Sequence, residues 1–100
     1  MLKAKAEIMF TLEGRNYSGN IHLRPAFSFG GGLLFSGAIN SEHDEYLQGQ
    51  PYLVDINFFT IEDEAYEAVK PLLKPELGLT IQEGKRILGV AKLLDFIYEA

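Results

Sequence analysis

The sequence predicts an all-β chain, a six-stranded antiparallel closed barrel with one short inserted helix near 62–73. Three observations carry this expectation. Apolar residues take every even position from Leu2 to Leu12, glycine-rich or polar turns recur between short apolar runs, and a single segment changes to helical spacing. The chain has 100 residues, of which 47% are apolar and 12% aromatic. That is the size of one ordinary domain with one core, so residues 1–100 are read as a single domain.

The first strand is the clearest element. Leu2, Ala4, Ala6, Ile8, Phe10 and Leu12 alternate with Lys3, Lys5, Glu7, Thr11 and Glu13, and Met9 is the one exception. Glu13 to Asn16 and Ser18 to Asn20 then supply turn chemistry. Ile21 to Leu23 and Phe27 to Phe29 flank Pro25, which has no N–H to give a ladder, so a bent second strand is expected. Gly30, Gly31 and Gly32 mark a corner, and Leu33 to Ile39 forms the third strand before a polar loop at Asn40 to Gln50.

Tyr52 to Thr60 resumes alternation as the fourth strand, with Val54, Ile56 and Phe58 opposite Asp55, Asn57 and Phe59. Beyond Ile61 the period changes. Glu62, Asp63 and Glu64 suit a helix N-terminus, Ala65, Ala68, Val69 and Leu72 share one helical face, and Pro71 or Pro75 ends it. Thr60 and Asp63 stand at capping-box spacing. Leu77 to Gln82 is the fifth strand and Arg86 to Tyr98 the sixth. Ile87, Val90, Ala91, Leu94 and Ile97 would also line a helix, but Gly89 and the tight turn at Glu83 to Arg86 favour a hairpin. A closed barrel of such strands removes most exposed sheet edges.

Composition narrows the function classes. No cysteine is present, which excludes disulfides, a thiolate nucleophile and a cysteine-based zinc site. The N-terminus lacks the pattern of a signal peptide, and no apolar run approaches the roughly 18 residues that would span a bilayer. A cytoplasmic protein with no membrane partner is expected. Fourteen acidic residues against nine basic ones give a net charge of −5. Such a chain repels polyphosphate unless its basic groups gather on one face.

Candidate chemistry is sparse. The triple glycine is followed by Leu33, Leu34 and Phe35 instead of the lysine and hydroxyl residue of a P-loop. His22 and His43 have carboxylates nearby only in the loop of Glu42, Asp44 and Glu45, where neighbouring side chains diverge and need no metal. No serine sits in a Gly-x-Ser-x-Gly elbow. The acidic clusters at Glu42 to Glu45 and Glu62 to Glu67 read as solvated faces rather than an acid–base pair. No catalytic residue, metal or cofactor is expected. Arg15, Arg24, Lys85 and Arg86 all stand at turns or strand ends, and would form a small positive patch if those turns share one end of a barrel.

Several features in one order carry a family resemblance: the Gly14-Arg15 turn, Arg24-Pro25-x-Phe27-x-Phe29, Ser36-Gly37-Ala38-Ile39, the turn at Gly49 and the closing Glu83-Gly84-x-Arg86-x-x-Gly89 hairpin. Together they resemble the C-terminal β-barrel domain of elongation factor Tu-like translation factors, along the whole chain. The resemblance implies a six-stranded barrel of the kind that follows a GTPase domain and a second barrel, holds the T-stem backbone of aminoacyl-tRNA and meets partner proteins. By that likeness Ser36 stands where the family has a threonine against the tRNA backbone, and Glu83 and Gly84 stand at hairpin positions that reach the same stem. Ala26 replaces a glutamine, Gln82 a basic residue and Lys85 a glycine, and the segment from Glu62 to Glu76 is longer and more helical than the family's loop.

The expected function is therefore a non-enzymatic binding module without the GTPase, whose Arg24, Ser36, Glu83, Gly84 and Arg86 contact a tRNA backbone or a translation-associated protein. The alternative is a decoy or immunity-type protein that mimics the factor to occupy a protein partner. Pairing of two copies through an exposed flank is a third expectation.

Overall fold

A computed structural model describes residues 1–11, 17–18, 25–43 and 45–100, with backbone alone at 17–18. Its strands are β1 Leu2–Phe10, β2 Tyr17–Ser18, β3 Ala26–Ser28, β4 Leu34–Ser36, β5 Ala38–Asn40, β6 Glu45–Tyr46, β7 Pro51–Phe58, β8 Gly78–Glu83 and β9 Arg86–Tyr98. Helix α1 (Asp63–Val69) runs on into a 3-10 helix at Lys70–Leu72. Seven strands form one antiparallel sheet in the order β4-β3-β8-β9-β1-β7-β5, and β2 pairs with β6 in a separate ribbon.

The alternation of β1 decides the interior. Leu2, Ala4, Ala6, Ile8 and Phe10 are all buried, as are Tyr52, Val54, Ile56 and Phe58 on β7 beside it. The small side chains of β1 leave room for aromatic rings opposite. Phe58 meets Phe27 and Phe29 edge-on at 5.3 and 5.4 Å between ring centres. Such offset geometry adds to the area these rings bury.

The sheet curls into a nearly closed barrel because its two edge strands are halves of one segment. β4 pairs with β3, β5 pairs with β7, and only Gly37 separates them in sequence. The Gly37 N–H donates to the Pro25 carbonyl at 3.0 Å. A Cβ at Gly37 would lie 2.7 Å from the Phe27 ring and 2.8 Å from an Ile56 methyl, so the seam closes tightly over the core. The single third strand expected at 33–39 is thus divided, and the sheet counts seven strands where six were expected. The three-glycine corner joins β3 to β4 as anticipated, closed by Phe29 N–H to the Leu33 carbonyl at 2.8 Å.

Two other expectations change. The loop at 40–50 contains β6, and its Tyr46 is buried against Phe10 with ring centres 5.5 Å apart. The Thr60–Asp63 capping box does not form: Glu62 is the N-cap and gives no side-chain bond. Instead Asp63 takes a positive φ of 49°, and its N–H donates to the Tyr98 hydroxyl at 3.0 Å. Tyr66 stacks on Tyr98 at 3.7 Å and 8°. The helix is fastened to the end of β9 by this pair, and Ile61 and Val69 are buried in the core. The expected turns at 13–16 and 19–20 and the first half of the bent second strand, 21–23, lie outside the described residues.

Candidate functional site

The β8–β9 hairpin turns through Gly84 and Lys85, with Glu83 opposite Arg86. Gly84 has a φ of +61°, which places the residue without a Cβ at the first central position of a two-residue turn. The Gln82 amide braces the turn by donating to the Gly84 carbonyl at 3.4 Å. Glu83, Gly84, Lys85 and Arg86 are all exposed. Glu83 and Arg86 face each other in register but form no ion pair among the described residues, so both charges remain available to a partner.

Register carries this end of the hairpin across the sheet. Gln82 is opposite Ile87 on β9 and Ala26 on β3, and Ala26 is opposite Ser36 on β4. Ser36 thus sits two strands from Gln82, about 10 Å at the usual strand spacing. Of the expected site residues, Ser36, Glu83, Gly84 and Arg86 share one end of one sheet. Arg24 lies outside the described residues, as does Arg15 of the expected positive patch; Lys85 and Arg86 supply the described positive charge at the tip.

Sequence reasoning missed the face beside the tip. The next outward row is Leu34, Ser28, Thr80 and Val90. Together with Ser36, Ala26, Gln82 and Ile87 these make an eight-residue face without a charge, in a chain that is 23% charged. Leu34, Ile87 and Val90 are 49%, 55% and 45% exposed. No local signal could have found it, because half of the face comes from β3 and β4, whose pairing beside β8 is set by strand order.

The residues weighed for metal or acid–base chemistry serve packing or stand in solvent. The His43 ring meets Tyr52 edge-on at 4.7 Å and Tyr46 at 6.0 Å. The Tyr46 hydroxyl in turn bonds the Ser41 hydroxyl, and the Tyr52 hydroxyl accepts from the Leu47 N–H at 2.8 Å. Glu42, Glu45, Glu62, Asp63, Glu64 and Glu67 are exposed, while His22 and Asp44 lie outside the described residues. No helix among the described residues is long and apolar enough to cross a membrane. No protein-family model matches the chain, and no curated protein does.

Proposed function

We propose that the chain is a non-enzymatic, cytoplasmic binding module of the elongation factor Tu C-terminal barrel type, with the β8–β9 hairpin end as its contact surface. The observation that supports this most is the shared row that runs from the hairpin through Gln82 and Ala26 to Ser36. A rigid sheet presents these groups together, and Lys85 and Arg86 give the tip local positive charge on an acidic body. A tRNA backbone fits that arrangement as a partner.

Binding of bulk tRNA and of translation-factor partners at low salt tests the reading. The expected result is salt-sensitive tRNA binding that Lys85→Glu and Arg86→Glu together weaken at least about tenfold. Absence of association with either class of partner would remove the proposal. The uncharged face favours a second reading, a mimic that engages a protein, because exposed Leu34, Ile87 and Val90 suit an apolar interface better than a phosphate backbone. Co-purification of one stoichiometric protein without RNA would select it.

A further inference from the structure

The outer surface of β9, β1, β7 and β5 carries a groove of about 630 Å³, within the usual range of small-ligand sites. It opens into a second depression of about 430 Å³ toward the 41–43 loop, and both share Lys5, Asn40, Asp55 and Asp95. Those four residues form one row across four strands. Lys5 is opposite Asp95 on one side and Asp55 on the other, and Asp55 is opposite Asn40. The groove uses none of the hairpin residues of the proposed partner surface.

The charges in this row form no close ion pair among the described residues. One row away, by contrast, Lys3 is held by Glu99 at 3.1 Å. Among the described residues the Asp95 carboxylate accepts from the Phe96 N–H, at 2.9 Å. An alternating anion, cation, anion row disfavours a simple anion and offers complementary partners to a ligand that carries both signs. Adjacent members stand about 5 Å apart at strand spacing, between the spans of one and two extended residues at roughly 3.3 Å each.

Apolar side chains flank the row. β9 carries a bulge at this point, since Lys5 pairs with Asp95 while Ala6 pairs with Leu93. The extra residue, Leu94, is pushed outward to 38% exposure, and Ile97 beyond it is 59% exposed. Bulges re-aim side chains in this way beside binding sites. We propose that this groove binds a free, zwitterionic dipeptide with apolar side chains: its carboxylate on Lys5, its ammonium on Asp55 or Asp95, and its side chains against Leu94 and Ile97.

The test is a titration of the whole chain with leucyl-leucine, followed by amide chemical shifts, beside the same peptide acetylated and amidated to remove both charges. The expected result is saturable shifts at Lys5, Asn40, Asp55 and Asp95 in the millimolar range or tighter, with at least tenfold weaker binding of the blocked peptide. Lys5→Met and Asp55→Asn, both outward-facing and so compatible with the fold, are each expected to weaken binding at least tenfold. Equal binding of the blocked peptide, unchanged affinity in both variants, or no saturable shift by about 20 mM would overturn the proposal.

Discussion

Gly89→Ala probes the tightest backbone approach in the barrel. A Cβ at Gly89 would lie 2.8 Å from the Phe10 Cα and 3.0 Å from the Met9 carbonyl carbon, and closer still to the Met9 oxygen. Ordinary contact begins near 3.4 Å, and every clashing atom belongs to the backbone of β1, so no side chain can swing aside. Relief requires β9 to move outward by about 1 Å at the point where Gly89 pairs with Phe10. Overpacking of this kind costs about 1–3 kcal/mol, and stretching two ladder bonds adds about 1 kcal/mol each. The sum is about 3–5 kcal/mol. At roughly 4–8 °C per kcal/mol for a domain of this size, Tm falls by at least about 12 °C. Thermal and urea unfolding followed by circular dichroism measure this. A Tm within about 3 °C of the parent would refute the close approach of β9 to β1.

Gly37→Ala is expected to be milder, about 1–2 kcal/mol, because the clashing atoms at the seam are the Phe27 ring and an Ile56 methyl, which can shift; denaturant unfolding gives the comparison. Phe58→Ala removes a fully buried ring that contacts Phe27 and Phe29, and should cost about 3–5 kcal/mol in the same assay. Tyr98→Phe keeps the stack on Tyr66 but deletes the hydroxyl that accepts from the Asp63 N–H. About 1 kcal/mol is expected, with hydrogen exchange accelerated at Asp63 and unchanged in the barrel strands.

What was legible in the sequence follows where period two survives. β1 and β7 face one interior along their whole length, so their buried residues could be named from alternation alone. β9 hid its register because it carries two bulges. Between Ile81 and Gln82 its partners jump from Gly89 to Ile87, and a second jump passes Leu94. Each extra residue reverses the parity, so Leu88, Ala91 and Leu93 face inward while Ile87, Val90 and Leu94 are exposed. That spacing imitates a helix. The division at Gly37 was hidden for a different reason, since an apolar run does not reveal that its two halves hydrogen-bond to different neighbours. The hairpin tip was legible because turn chemistry is local. The uncharged face beside it depends on strand order, which no local pattern encodes.

The central position of β1, between β9 and β7, bears on how the chain is made. A ribosome delivers Leu2–Phe10 before the other strands, yet one of its two neighbours begins at Arg86, 76 positions after Phe10. At roughly 5–20 residues per second, that partner emerges about 4–15 s later. Throughout this interval a nascent, greasy segment has no native mate on one flank. Docking of both neighbours then closes long loops at once, so refolding should be slow for a chain of this length and should gain from a chaperone that shields the first strand.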